Sequence, residues 1–199
     1  ILTRELGSRQ PGMPAHVAVP YAMSIGLRPG YFGGHLLGAK YDPFQTEGDP
    51  NAANFKVANL EPVAGLTLDR LESRRTLSRH FDRILRDPGV EATYDTLDRF
   101  DRDAFEFVTG PHARKAFDLT LEDPRLRDRY GRDNWGQSTL LARRLVEAGS
   151  TFATVHLGGW DHHWDLESGM QNYLPKVDQL FSALLEDLDA RGLLKETLV

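Results

Sequence analysis

Apolar and polar residues alternate most regularly in the last third of the sequence. Leucines and a valine at helical spacing predict a helix that is capped by Asn134 or Ser138 and continues through Ala148. Gly149 is expected to end it, because glycine readily adopts the left-handed conformation found after helices. The mainly apolar run 151–157 then predicts a buried strand.

A second long helix is expected after this strand. Apolar residues recur at helical spacing up to Leu188, and the pattern predicts a helix that begins near Pro175 and ends at Gly192. Residues 197–199 are expected to begin another strand. Two parallel strands joined by a helix form a right-handed crossover, which would place the loop 158–165 at the carboxyl edge of the sheet.

The first two thirds of the sequence are less regular. Residues 17–21 and 55–60 predict two short strands, and residues 22–62 as a whole predict a long irregular region rich in glycine and proline. Residues 67–131 predict a helical region whose first helix is capped by Thr67. That helix is expected to stop at residues 88–89, and further helices are expected over residues 91–109 and 112–119.

Composition and charge narrow the class of protein. A chain of 199 residues, 40% hydrophobic and 27% charged, predicts one folded domain. The net charge of -5 and the dispersed arginines argue against a nucleic-acid partner. No apolar run is long enough to cross a bilayer. The absence of cysteine excludes disulfides and thiolate metal ligands from this sequence.

Both ends of the sequence resemble interrupted elements. Residues 1–10 have the pattern of an amphipathic helix already in progress, and the predicted strand at residues 197–199 is much shorter than usual. We therefore expect the sequence to be a fragment of a single α/β domain that continues in a longer chain.

The loop Gly158–Asp165 carries the most concentrated chemistry. It offers the carboxylates of Asp161 and Asp165 and the imidazoles of His162 and His163, which are oxygen and nitrogen ligands suited to Zn²⁺ or another divalent ion. Asp161 and His163 are two residues apart, so an extended turn would point both to the same side, unless His162 exchanges roles with His163. A catalytic zinc generally needs a third protein ligand.

A structural alternative exists for each of these candidates. Asp161 can instead cap the turn that follows, with both histidines exposed. His156 lies in the predicted strand and is more typical of a hydrogen-bonded core histidine. The remaining histidines have no evident partner in the sequence and stay unassigned; they are His16, His35, His80 and His112.

Aromatic residues are candidates for substrate contact. Trp160 and Trp164 can form walls beside the loop, although packing at its base is the simpler interpretation. Tyr41 lies in an aromatic-rich turn that can form a lid or a pocket wall, or can pin the irregular region to the body of the domain.

Several motifs together resemble one bacterial family. They are Leu141–Gly149, the glycine-glycine-tryptophan-aspartate motif at residues 158–161 with its histidines, and Leu185–Leu194. Residues 38–44 and 48–50 also resemble the middle region of that family. The sequence thus resembles, over nearly its whole length, the family called domain of unknown function 1501, which is placed with the alkaline phosphatase-like and sulfatase-like superfamily.

The resemblance implies a fold, an activity and a set of ligands. The fold would be α/β, with a doubly wound, mainly parallel sheet flanked by helices, here in truncated form. The activity would be hydrolysis or transfer at phosphate or sulfate esters with divalent metals, most typically Zn²⁺, with Mn²⁺, Ca²⁺ and Mg²⁺ as alternatives. Asp161 and His163 would be metal ligands, and His162 stands where the family often has threonine.

The resemblance also implies limits on this stretch of sequence. Relatives carry an acidic loop before the matching region and further motifs after it, so the remaining ligands and the nucleophile are expected outside these residues. The resemblance implies export to the periplasm or cell surface. The alternative function is that of an exported binding or scaffold protein with the same fold but without turnover.

Overall fold

A small parallel β-sheet lies at the centre of the fold. The computed structural model describes residues 1–58, 60, 67–85 and 102–199. Within them the strands are β1 (His16–Val19), β2 (Phe44–Gln45) and β3 (Phe152–Val155), in the spatial order β2-β1-β3 with all pairs parallel. The protein is therefore α/β, as predicted.

The described residues contain seven α-helices besides this sheet. They are α1 (Leu2–Leu6), α2 (Leu68–Leu85), α3 (residues 102–109), α4 (Pro111–Phe117), α5 (Pro124–Tyr130), α6 (Asn134–Glu147) and α7 (Leu166–Ala190). Short 3₁₀ helices cover Gly30–Phe32, His35–Leu37, Ala39–Tyr41, Leu119–Leu121 and Leu193–Lys195. None of the described helices is long and apolar enough to cross a membrane.

Helix α6 connects the sheet to the other helices. It packs against β1 and β3 on one side and against α4, α5 and α7 on the others. Its Leu140, Leu141 and Leu145 are fully buried in one cluster with Val17 and Val19 of β1. The prediction that these leucines face the core is confirmed, but α6 is buried on its other sides as well, since residues 136–143 are all buried.

The two long helices begin earlier than predicted. Asp133 caps α6 by accepting a hydrogen bond from the Gly136 amide at 2.9 Å, so the predicted caps Asn134 and Ser138 lie inside the helix. In the same way Asp165 caps α7, and Pro175 lies well inside that helix. The predicted start at Pro175 is wrong: the helix begins at Leu166, nine residues before Pro175. The cap that Asp165 provides outweighs the preference of proline for the first helical turn.

The strands are also shorter or absent. The strands predicted over 17–21 and 151–157 exist as β1 and β3, but β3 is not buried as predicted, since Phe152 is exposed and the rest of the strand is half-buried. The predicted strand over 55–60 is wrong for residues 55–58 and 60. Phe55, Val57 and Leu60 instead pack against the core from a loop. Residues 197–199 form no strand, so the predicted second parallel strand, which would complete the crossover from β3 through α7, is not formed by these residues.

The helical region agrees with the prediction where it is described. Thr67 caps α2, since its hydroxyl accepts a hydrogen bond from the Arg70 amide at 3.3 Å. The helix predicted over 112–119 is α4, displaced by one or two residues. The predicted stop at 88–89 and the first part of the helix predicted over 91–109 fall outside the described residues. In the region predicted as irregular, β2 was not anticipated.

Arg143 forms the centre of a buried ion network. Its side chain is fully buried, and its nitrogens lie 2.8 Å from Glu122, 2.5 Å from Glu147 and 2.9 Å from Asp187. Glu122 also pairs with Arg144. Burial opposes ionisation of Glu122, but hydrogen bonds and charges from the two arginines outweigh it and lower the pKa of this carboxyl. The network joins α6, α7 and the loop that follows Leu121.

Replacing Arg143 with methionine should destabilise the protein by roughly 3–5 kcal/mol, because Glu122, Glu147 and Asp187 would then share only Arg144 and Arg191 as cations. The matched control is Arg129→Met, which breaks the solvent-exposed pair with Glu186 and should cost less than about 1 kcal/mol. Urea denaturation followed by circular dichroism measures both values. Equal losses in the two variants would contradict the importance assigned to the buried network.

His16 is a buried histidine at the beginning of β1. Its Nε2 lies 3.0 Å from the Thr154 hydroxyl of β3, and its ring packs on Phe152 with centroids 4.7 Å apart. Burial lowers the pKa of His16 to about 4, because the charged imidazolium would lose its hydration. This histidine is therefore neutral in the folded protein at pH 7.

The low pKa of His16 predicts a pH dependence of stability. The unfolded chain binds a proton at this residue below about pH 6.5 while the folded protein stays neutral until about pH 4, so stability falls as the pH falls through this window. His16→Gln should reduce the loss by about 2 kcal/mol. Urea titrations between pH 7 and 4 measure the slope, with exposed His35→Gln as the control. An unchanged slope in His16→Gln would disprove the assignment.

Candidate functional site

Three chain segments meet at the carboxyl edge of the sheet. Backbone hydrogen bonds continue the strand pairing beyond the strands: the His156 amide donates to Val19 and the Glu47 amide to Pro20, at 2.9 and 2.8 Å. The loop that follows β3 therefore lies beside the segments that follow β1 and β2. Its predicted position at this edge, where open α/β sheets usually bind ligands, is confirmed.

Side chains from these three segments form a row. The Glu47 carboxylate accepts a hydrogen bond from Arg28 at 3.3 Å, the Arg28 guanidinium lies 3.4 Å above the Tyr21 ring, and the Tyr21 and His156 rings are 4.7 Å apart. Burial, with a smaller contribution from the Arg28 charge, lowers the pKa of His156. Sequence analysis missed Arg28 and Glu47, because β2, which positions Glu47, is only two residues long.

Asp161 and His163 are paired on the surface of the loop. The His163 Nδ1 is in direct contact with the Asp161 carboxylate, and both side chains are largely exposed, at 68% and 82% for the histidine and the aspartate. The two residues therefore point to the same side of the turn, as their spacing predicted. The cap of the following helix is supplied by Asp165 rather than by Asp161.

His162 turns towards the body of the protein. Its ring lies 5.1 Å from the Tyr173 ring, and its Nε2 is buried without a hydrogen-bond partner among the described residues. A methyl group added at Gly169 would fall 2.4 Å from its Nδ1, so the ring lies directly on α7. The structure therefore separates His162 from the pair formed by Asp161 and His163.

An aromatic cluster holds the base of the loop. Trp160 stacks on Trp135 at the start of α6 with centroids 5.9 Å apart, and both contact the Tyr173 ring of α7 at 5.4 and 5.0 Å. Trp160 remains 39% exposed, so a substrate contact stays a prediction. Trp164 is 97% exposed and contributes to no core contact.

Tyr41 lies elsewhere. It ends the 3₁₀ helix before β2 and lines a cavity together with His16 and Phe152, the first residues of β1 and β3. These residues mark the amino edge of the sheet, opposite to the loop with Trp160. The structure does not bring the two predicted substrate contacts together, and a role for Tyr41 in substrate binding stays a prediction.

The donor set at the loop is incomplete for a metal centre. The described part of the chain contains no group of three or more His, Asp or Glu side chains arranged to hold an ion. Asp161 and His163 supply two donors at most, and a catalytic zinc takes three protein ligands and a water. The pair therefore fits part of a divalent metal site.

Comparison with known families gives one result. The whole chain, residues 1–199, matches the family described as "Protein of unknown function (DUF1501)". The chain belongs to this family. The resemblance noted in the sequence is thereby confirmed at the level of the family, over its full length. Neither a curated protein nor a solved structure matches the chain.

Replacing Gly159 with alanine should displace the loop from α7. Gly159 has φ +92°, and an added methyl group would fall 2.6 Å from the Tyr173 hydroxyl. The variant should lose roughly 2–3 kcal/mol, which combines backbone strain with the clash. Gly7→Ala is the control, since Gly7 also has a positive φ but no atom within 4 Å of the added methyl group.

Comparison of the two variants isolates the contact with Tyr173. Gly7→Ala should cost about 1 kcal/mol by strain alone, and Gly159→Ala/Tyr173→Phe should recover part of the larger loss because the clashing hydroxyl is gone. Thermal unfolding followed by tryptophan fluorescence measures all three. Equal losses at Gly159 and Gly7 would show that the loop does not pack on Tyr173 as described.

Proposed function

We propose that this protein is part of a metal-dependent hydrolase that acts on phosphate or sulfate esters. The observation that supports the proposal is the exposed pair of Asp161 and His163 at the carboxyl edge of a parallel sheet. Among the described side chains, this pair combines a carboxylate and an imidazole on the loop where ligands are expected. The wider fold is proposed to be alkaline phosphatase-like and doubly wound.

The contact between the two side chains suggests how they hold an ion. When Asp161 accepts the proton on His163 Nδ1, it fixes the tautomer of the imidazole and leaves Nε2 as the lone-pair donor for a metal. Alternatively both residues bind the ion directly, with the carboxylate turned from the ring. In either arrangement an imidazole ligand favours Zn²⁺ over Mn²⁺, Ca²⁺ and Mg²⁺, which are better suited to oxygen ligands.

The chemistry then follows from charge. A divalent ion held by Asp161, His163 and residues beyond this pair would polarise the ester oxygens and stabilise the charge that develops on them. The stacked Trp160 keeps the loop backbone in place on α6 and α7, so the pair has a rigid support. His162 is not required as a ligand, because it faces α7. Export from the cytoplasm is proposed on the resemblance alone.

The alternative is an exported binding or scaffold protein with the same fold. One observation favours it: the loop presents Trp164 almost fully exposed beside only two metal donors. An exposed tryptophan is a common anchor in recognition surfaces. Turnover of ester substrates by the full-length protein distinguishes the two functions.

Metal binding by the full-length protein tests the proposed function. After loading with Zn²⁺ or Mn²⁺ and dialysis, we expect near-stoichiometric metal in the unmodified protein and at least a tenfold weaker affinity in Asp161→Asn and in His163→Ala. The controls are Asp178→Asn and His35→Ala, which remove an exposed carboxylate and an exposed imidazole outside the loop. Elemental analysis and competition with a chelator give the stoichiometry and the affinity.

Hydrolysis of p-nitrophenyl phosphate and p-nitrophenyl sulfate completes the test. The metal-loaded protein should release nitrophenol from at least one ester, and the two loop variants should lose this activity while the controls keep it. Equal retention of metal in all variants would contradict the assignment of Asp161 and His163 as ligands. Metal bound at the pair without hydrolysis of either ester would favour the binding protein.

A further inference from the structure

A second cavity lies between the segment 50–57 and the helices α4 and α5. It encloses about 490 Å³, a volume typical of small-molecule sites. Its lining shares no residue with the loop 158–165. Any ligand bound here would therefore be recognised independently of the proposed metal site.

The polar part of this cavity is strongly basic. Arg114, Arg127, Arg132 and Lys56 line it, and the only acidic side chain among the described lining residues is Asp118. The Asp118 carboxylate is already occupied, because it accepts hydrogen bonds from the amide and the hydroxyl of Thr120 at 2.9 and 2.6 Å. Positive charge is thus concentrated at a concave surface in a chain whose net charge is -5.

The arginines are held in place by contacts that leave donors free. Arg127 donates from Nε to Gln137 at 2.7 Å, Arg114 donates from Nη2 to the Thr109 carbonyl at 2.9 Å, and Arg132 pairs with Asp128 at 2.5 Å. In the described part of the chain no carboxylate forms an ion pair with Arg114 or Arg127. Their remaining N–H groups are available for a ligand.

Arg127 and Arg132 also repel each other. Burial and the nearby charge of Arg132 lower the pKa of Arg127, although Asp128 opposes this. Two like charges held close together raise the free energy of the empty cavity, and the carboxylate of Asp128, which is already paired with Arg132, offsets only part of this repulsion. An anion placed between them would remove this repulsion and accept several hydrogen bonds, which is the arrangement that guanidinium groups provide for tetrahedral oxyanions.

The rest of the cavity is apolar. Its apolar lining includes Phe55, Val57, Phe117 and Leu119, of which the last three belong to the hydrophobic core and Phe55 packs against it. Bare inorganic phosphate would leave this surface in contact with water. A ligand with an apolar body attached to the anionic group would cover it and gain binding energy.

From these observations we propose that the cavity binds a small organic oxyanion, a phosphate or sulfate monoester with an aromatic or aliphatic body. The oxyanion would lie among Arg114, Arg127 and Arg132, and the body would lie on Phe55 and Phe117. Sequence analysis did not find this site, because its cations are dispersed over residues 56–132 and only the fold gathers them.

Calorimetric titration of the full-length protein with phenyl phosphate, phenyl sulfate, inorganic phosphate and phenol tests this proposal. A chelator is present throughout, so that a metal at Asp161 and His163 contributes nothing. We expect phenyl phosphate to bind at least tenfold more tightly than inorganic phosphate, and we expect phenol to show no saturable binding. Tighter binding of phenyl phosphate than of phenyl sulfate would identify a phosphate ester as the ligand, and the reverse order a sulfate ester.

Substitutions locate the binding site. Arg132→Gln should weaken binding of the tighter aryl ester at least tenfold, whereas Arg125→Gln, which removes an arginine of α5 outside the cavity, should leave it unchanged. Thr120→Glu places a negative charge in the cavity without removing an arginine and should abolish binding. Each variant is first compared with the unmodified protein by thermal unfolding.

The outcomes are distinguishable from those for the proposed function. Loss of binding in Arg132→Gln and Thr120→Glu, but not in Asp161→Asn, supports the cavity whether or not the loop binds a metal. Binding that survives both cavity variants, or that is lost equally in Arg125→Gln, overturns the proposal. The proposal is also overturned if neither aryl ester shows saturable binding up to about 10 mM, which corresponds to a binding free energy weaker than roughly 3 kcal/mol.

Discussion

The neutralisation of one buried cation constrains much of this fold. Arg143 projects from the C-terminal half of α6 into the interior, where an unpaired guanidinium would cost several kcal/mol. Its carboxylate partners come from α7, from the end of α6 and from the loop after Leu121, and Arg144 and Arg191 balance their charge. All of these elements must be in place together, because removal of any one of them leaves the buried charges of the network unbalanced.

The ion network also helps to position the candidate site, because it joins α6 and α7, the two helices on which the site loop packs. Helix α6 carries Trp135 at its beginning and Arg143 near its end, while α7 carries Tyr173 and Asp187. The same pair of helices is therefore fixed at one end by ions and at the other by stacked rings. The loop with Asp161 and His163 is attached at the aromatic end, where Trp160 completes the cluster.

Regular periodicity allowed the sequence to predict the helices well and the strands less well. The burial of the leucines of α6 and the cap of α2 by Thr67 follow from local features of the sequence, and both are confirmed. The strand predicted over residues 55–60 is wrong, because the same alternation of apolar residues occurs in a loop whose apolar side chains pack on the core. The start of α7 was misplaced because the sequence offers both Asp165 and Pro175 as signals, and only the complete structure shows which one begins the helix.

The candidate site was predictable only in part, for a related reason. Asp161 and His163 are neighbours in sequence, so their spacing alone predicts that they meet. The row from Glu47 to His156 and the arginines around the second cavity join segments far apart in the chain. Such sites depend on the register of the strands and on the packing of the helices, which no local sequence pattern predicts. Membership of the family supports the resemblance without naming a function.

Pro175 gives α7 an uneven stiffness. Because proline has no amide hydrogen, the carbonyl of Gln171 lacks its usual partner one turn earlier, and bending there breaks no backbone hydrogen bond. The segment before it carries the contacts with His162 and Trp160, and the segment after it carries the buried Leu180, Ala183 and Leu188. Both halves of the helix are nevertheless anchored, the first by the aromatic cluster and the second by the core. The turn that lacks a backbone hydrogen bond is therefore held on both sides by side-chain contacts.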